Sequence, residues 1–254
     1  FIGSSTALTA PFYGGETGMG TMPHAAIGYA KALGAAELGA PPPDATLRSV
    51  KLFCDSPALE QVPMVVALVD YEGREITDAV MSAAWFFDES GLAARKGFGV
   101  RLDTHDGRFS EGLDWRKSVA VLEEHLHIGG EYEILREVMG DRAFEIDVDD
   151  VLKDRIRPML FGTGVSAANI LHMRRKLDEA GYTETKIVAS SGFNPQKCAI
   201  MGAAKVPIDM VGTGSFIPDL LKLTFATADI IDYELTGASY AFVKIGREAL
   251  LKQG

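Results

Sequence analysis

Lys186-Ile187-Val188-Ala189-Ser190-Ser191-Gly192-Phe193-Asn194-Pro195 holds a strand, a turn and a helix start in one short stretch. Lys186 to Ala189 reads as a buried strand, Ser191-Gly192 as its turn, and Pro195 to Ala204 as a helix. The pattern recurs at once: Ile208 to Val211 is a second apolar strand, followed by Gly212-Thr213-Gly214-Ser215. Strand and helix alternating at this pace imply a parallel sheet or barrel. Backbone N–H groups at such strand-to-helix turns form a concave anion site, and glycine lets a phosphate come close.

Upstream, the apolar run from Val62 to Val69 ends at Asp70, and Phe98 to Leu102 ends at Asp103. Both read as strands covered on two faces. Helical spacing marks Ala25 to Leu38 and Ile76 to Asp88, and Asp114 caps a helix to about Leu126. Between Gly129 and Arg157 the chain is polar, with a helix expected around Tyr132–Met139. Pro158–Phe161 is a brief apolar run before Gly162-Thr163-Gly164, and Ser166–Ala180 is a helix closed by Gly181. Residues 1–13 carry a weak helical pattern, and Ala40-Pro41-Pro42-Pro43-Asp44 is a clear break. At the other end, Thr227–Tyr233 and Tyr240–Ile245 flank Thr236-Gly237 as a β-hairpin. The expected fold is α/β: an irregular (β/α) barrel with parallel strands over residues 1–222. Residues 223–254 add a hairpin and helix that complete a second domain, of the kind an N-terminal segment would supply.

The 254 residues carry a formal charge of −10 and are 47% hydrophobic, which suits a sizeable core and disfavours nucleic acid or an anionic membrane as partner. Two cysteines, Cys54 and Cys198, lie far apart without a CxxC pattern, so neither a disulfide framework nor a resident metal site is expected. No apolar run is long enough for a membrane span and no signal peptide opens the chain, so a cytoplasmic location is expected. The start at Phe1 rather than Met, in an apolar stretch of small residues, reads as a fragment, a processed product or a chain without its upstream part.

Barrel active sites lie at the C-terminal ends of strands, which gives Asp70 and Asp103 positional logic. A carboxylate there can stabilise an oxocarbenium-like state at an anomeric carbon, or accept sugar hydroxyls; the bland alternative is a helix cap or strand-end solvation. Arg101 shares a strand face with Asp103 and can grip an anion in a bidentate fork, or form a structural ion pair. His24 sits in the turn Gly20-Thr21-Met22-Pro23-His24 as a candidate acid–base, phosphate ligand or phosphorylated nucleophile, set against a structural role. His125, His127 and His172 read as solvated, and Gly162-Thr163-Gly164 as a decoy for the phosphate turns.

Gly20-Thr21-Met22-Pro23-His24-Ala25, Ala67-Leu68-Val69-Asp70, Val100-Arg101-Leu102-Asp103, Ala189-Ser190-Ser191-Gly192-Phe193 and Val211-Gly212-Thr213-Gly214-Ser215 together resemble the nicotinate phosphoribosyltransferase family, in that family's order. The resemblance implies a type II phosphoribosyltransferase, dimeric, making nicotinate mononucleotide from nicotinate and phosphoribosyl pyrophosphate with magnesium, coupled to ATP hydrolysis. It implies a phosphorylated histidine at His24, and ribose and pyrophosphate contacts at Asp70 and Asp103. It further implies substrate contacts at Thr21 and Arg101, with the 5′-phosphate against Ser190, Ser191, Gly192, Gly212, Thr213, Gly214 and Ser215. Two other readings stand beside it: quinolinate phosphoribosyltransferase, and a non-catalytic phosphate-binding subunit that needs a partner chain.

Overall fold

A computed structural model describes residues 10–13, 15–16, 22–140, 150–213 and 229–252. Four strands form one parallel sheet in sequential order: β1 (Met64–Leu68), β2 (Gly97–Leu102), β3 (Lys186–Ala189) and β4 (Met210–Val211). Sequential parallel order is the way a β/α barrel lays its staves. Three of the expected strand-end positions, Asp70, Asp103 and Ser190, follow β1, β2 and β3 as the apolar runs implied.

The helices are α1 (His24–Leu38), α2 (Ala45–Cys54), α3 (Glu75–Ala84), α4 (Trp115–Leu126), α5 (Glu131–Met139), α6 (Asp150–Phe161), α7 (Ala167–Glu179) and α8 (Pro195–Ala203). Side-chain oxygens of Asp114, Ser166 and Asn194 accept the amides of Lys117, Asn169 and Lys197, starting α4, α7 and α8. The helix expected to Asp88 runs as α3 and then widens into a π-type turn over Trp85–Glu89. This places Phe86 on Phe98 of β2, ring centroids 4.8 Å apart. Val65, Ala67, Val100, Leu102, Ile187 and Ala189 of the sheet share one buried apolar core with Ile170, Met173 and Leu177 of α7. Each such large side chain contributes roughly 1.5–3 kcal/mol.

Two elements depart from the sequence reading. α2 follows the Pro-rich break directly. Pro158, taken as the start of a separate apolar run, lies inside α6, where Ile156 and Leu160, one turn apart, face the core. Proline removes one N–H from the helix ladder, and the helix ends one turn later where Gly162 N–H bonds Pro158 O at 3.0 Å.

The C-terminal hairpin is present but tighter than expected, pairing β5 (Asp232–Leu235) with β6 (Ala238–Ala241) around Thr236-Gly237. Residues 227–228 and the boundary expected near residue 222 lie outside the described residues, as do residues 1–9. Tyr233 of β5 lies on Gly28 of α1, so close that a Cβ there would stand 2.0 Å from its hydroxyl. No described helix is long and apolar enough to cross a membrane.

Candidate active site

The sheet register builds the rim. Leu68 pairs with Arg101, Leu102 with Ala189, and Ala189 with Val211. Carried one or two residues further, that register sets Asp70, Asp103, Ser190 and Gly212 side by side across the four strand ends. The ladder does continue there: Val69 N–H bonds Arg101 O at 3.3 Å, Ser190 N–H bonds Leu102 O at 2.9 Å, and Gly212 N–H bonds Ala189 O at 2.9 Å.

His24 is the first residue of α1 and meets this rim from above the end of β1. Its Nε2 lies 3.2 and 3.3 Å from the two carboxylate oxygens of Asp70, and 3.8 Å from Asp103 Oδ2. Asp70 is fully buried. Burial pushes its carboxyl up, but the hydrogen bond with His24 and the charge of Lys244 outweigh this and hold it at about 2. Asp103 is 24% exposed and takes a 3.1 Å contact from the Ser190 hydroxyl. Arg101 Nη2 stands 4.0 Å from Asp103 Oδ2, beyond hydrogen-bond length, and among the described residues its buried Nε has no hydrogen-bond partner. A guanidinium with unmet donors beside a half-open carboxylate is suited to an anionic ligand.

Across the rim, Ser191 and Gly192 both adopt left-handed backbone, with φ of 74° and 65°. Lys197 of α8 holds this turn by donating to Ser191 O at 3.0 Å, and its ammonium lies 4.6 Å from the Phe193 ring centroid. Burial pushes the Lys197 ammonium's pKa down. Thr213 is tied in by its hydroxyl, which donates to Phe193 O at 2.7 Å. The amide of Gly212 is committed to the sheet, so in this turn an anion would meet Ser191, Gly192 and Thr213. Thr21, Gly214 and Ser215 lie outside the described residues. Gly162-Thr163-Gly164 packs elsewhere: the Thr163 hydroxyl donates to Asp106 O and Gly164 N–H to Arg108 O.

Five residues around the rim were given no role by sequence reasoning. Lys244 pairs with Asp70 and donates to the carbonyl of Asp103. Its one signal was a single cation in the apolar run Phe242-Val243-Lys244-Ile245. Arg108 and Glu75 form a buried pair behind the rim, and Arg108 also donates to Asp70 O at 3.0 Å. Thr104 closes that network by donating to Glu75 at 3.0 Å while accepting from Asn169 at 3.3 Å. Nothing in the spacing of Glu75, Thr104, Arg108 and Asn169 pointed to it. His172, expected in solvent, is buried, and burial pushes its pKa down.

Ligand atoms of His24, Asp70 and Asp103 lie within 4.8 Å of one another, the one such group among the described residues. A resident magnesium ion does not fit there. It demands oxygen ligands in near-octahedral array, whereas one donor is an imidazole and the Lys244 ammonium already sits on Asp70.

No family model and no curated protein matches the chain. A solved structure, nicotinate-nucleotide pyrophosphorylase from Pyrococcus furiosus, is similar over 84% of this chain at 23% identity, with a TM-score of 0.43. The chain covers 34% of that protein, about a third of its length. A superposition this loose leaves the chemistry to be argued from the residues themselves.

Proposed function

We propose that this chain carries the ribose- and phosphate-binding rim of a phosphoribosyltransferase that acts on a pyridine carboxylate, nicotinate first. One observation carries the reading: the strand register aligns Asp70, Asp103, Ser190 and the Gly212 turn, with His24 and Arg101 facing them. In the reaction the ring nitrogen attacks C1 of the ribose while the C1–O bond to diphosphate breaks, and diphosphate departs with the bonding pair. Positive charge gathers at C1 on the way, where the half-open carboxylate of Asp103 stabilises it. The 5′-phosphate rests on the Ser191-Gly192 turn and on Thr213. Arg101 takes the carboxylate of the base. Magnesium arrives on the diphosphate as part of the substrate. ATP is a co-substrate that phosphorylates His24, and the enzyme works as a homodimer.

Nicotinate is preferred to quinolinate because a dicarboxylate calls for a second available cation. Of the other basic groups at the rim among the described residues, His24 and Lys244 are engaged by Asp70, and Lys197 by the Ser191 carbonyl.

The test offers nicotinate, quinolinate and nicotinamide separately with phosphoribosyl pyrophosphate and magnesium, with and without ATP, and resolves products by chromatography. Nicotinate mononucleotide from nicotinate, stimulated by ATP, supports the reading. The same nucleotide from quinolinate alone transfers it to the decarboxylating enzyme. No product from any base leaves a phosphate-binding subunit in need of a partner chain.

A further inference from the structure

Lys244 is placed too carefully to be a stray surface charge. It is 5% exposed, and its ammonium pairs with Asp70, donates to the Asp103 carbonyl and lies 4.0 Å from Asp103 Oδ2. The backbone on its C-terminal side is fixed against the rim: Ile245 N–H bonds Tyr71 O at 3.0 Å. Gly246 follows with φ of 97°, against His105, where a Cβ would stand 2.9 Å from the ring. A lysine offers three donors on a compact charge, and two of the three are satisfied by the residues that frame the rim.

We propose that Lys244 is a positioning residue, the built-in cation of the His24–Asp70–Asp103 cluster, which closes that cluster to a divalent metal and holds Asp70 in place to orient His24. A metal coordinated by Asp70 would sit beside a buried ammonium with little water to screen the repulsion. The ammonium neutralises Asp70 instead. His24 then meets a carboxylate that is charged but fixed, and Asp103 keeps its outer oxygen for ligand. The C-terminal segment is in this way part of the site. Only the kinetic part of the test rests on the phosphoribosyl-transfer reading.

The decisive experiment titrates the substrate-free chain with Co²⁺, following visible absorption and equilibrium dialysis, for wild type, Asp70→Asn, Lys244→Met and the double variant Lys244→Met/Asp70→Asn. Wild type is expected to show no cobalt band that depends on Asp70. Lys244→Met should gain one equivalent with a band from nitrogen and oxygen ligands, and the double variant should lose it. A wild-type band abolished by Asp70→Asn overturns the proposal, and this comparison needs no Lys244 variant to fold. A cooperatively melting Lys244→Met chain that gains no cobalt also overturns it. In turnover, Lys244→Met is expected to lower kcat about 100-fold with KM for phosphoribosyl pyrophosphate within about threefold, and Lys244→Arg to recover part of the loss. A larger change in KM than in kcat contradicts the positioning role. If wild type turns over no base, the function assigned above fails while the cobalt comparison still decides the role of Lys244.

Discussion

His24 Nε2 faces both carboxylate oxygens of Asp70, at 3.2 and 3.3 Å, across the gap between the first turn of α1 and the end of β1. The imidazole is 22% exposed and the carboxylate is fully buried, so the contact ties an open group to a closed one. Asp70 also carries Lys244, and its backbone carbonyl carries Arg108. Asp103 has a fourth of its side chain in solvent and, among the described residues, one side-chain hydrogen bond to its carboxylate, from Ser190. Two carboxylates at neighbouring strand ends therefore differ in kind: Asp70 orients, and Asp103 is free to meet a ligand.

Asp103→Asn should lower kcat by ~10²–10³, the range for loss of a group that stabilises developing charge. Stability should change by less than ~1 kcal/mol, because the side chain is half-open and Ser190 can still donate to an amide oxygen. Steady-state kinetics and urea denaturation check the two halves. Normal turnover by this variant would remove Asp103 from the chemistry.

Arg101→Met should raise KM for the pyridine carboxylate about 10- to 100-fold, the effect of losing a charge-assisted pair, with kcat less affected. Lysine should restore only part of this, since an ammonium cannot form the two-pronged contact of a guanidinium. Initial rates across a range of base concentrations give the answer.

If His24 is the phosphoacceptor, labelled ATP should give an acid-labile phosphoprotein that His24→Ala cannot form. With Nε2–H directed at Asp70, the nucleophilic lone pair lies on Nδ1, so Asp70→Asn should slow labelling as well. Equal labelling of His24→Ala and wild type would assign the phosphate elsewhere.

Much of this arrangement was legible because it is local. Apolar runs with sharp polar ends located Asp70 and Asp103, and a two-residue offset placed Arg101 beside Asp103. Helical spacing located α3, the Asp114 cap located α4, and the Gly181 stop located α7. What escaped depends on contacts between distant parts of the chain. Lys244 reaches the Asp103 carbonyl from 141 positions away, and Arg108 reaches Glu75 from 33. Neither distance leaves a mark on local composition. α6 was obscured by Pro158, which reads as a break although the helix runs on to Phe161.

Acid should expose the Asp70 pairing. Its carboxyl is held at about 2 in the fold, against an ordinary value of 3.8, so the folded state binds its proton less readily than the unfolded chain. The resulting stabilisation, roughly 2 kcal/mol, is fully present above pH ~5 and is lost as pH falls from about 4 through about 2. Urea midpoints measured between pH 6 and pH 2 should show that extra slope in wild type and lack it in Asp70→Asn. At neutral pH the same variant should be less stable by ~3–5 kcal/mol, because it leaves the Lys244 ammonium buried without its counter-charge.

The hairpin's grip on α1 gives a test of whether the C-terminal segment matters to the site at all. A methyl group at Gly28 would stand 2.0 Å from Tyr233 Oη, 2.5 Å from Tyr233 Cζ and 2.9 Å from Tyr71 Oη. Alanine gains ~0.5–1 kcal/mol of helix propensity over glycine, but overpacking against two buried rings costs ~1–3 kcal/mol, so Gly28→Ala should be net destabilising. The greater consequence is positional. With Tyr233 displaced, β5 and β6 lift from α1 and Lys244 moves with them. Hydrogen exchange should then quicken over residues 232–241, and turnover should fall more than the loss of stability accounts for. Shortening the obstructing ring by Tyr233→Leu in the Gly28→Ala chain should return both exchange and melting temperature toward wild type. A double variant no better than Gly28→Ala would show that the hairpin and α1 are not coupled through this contact.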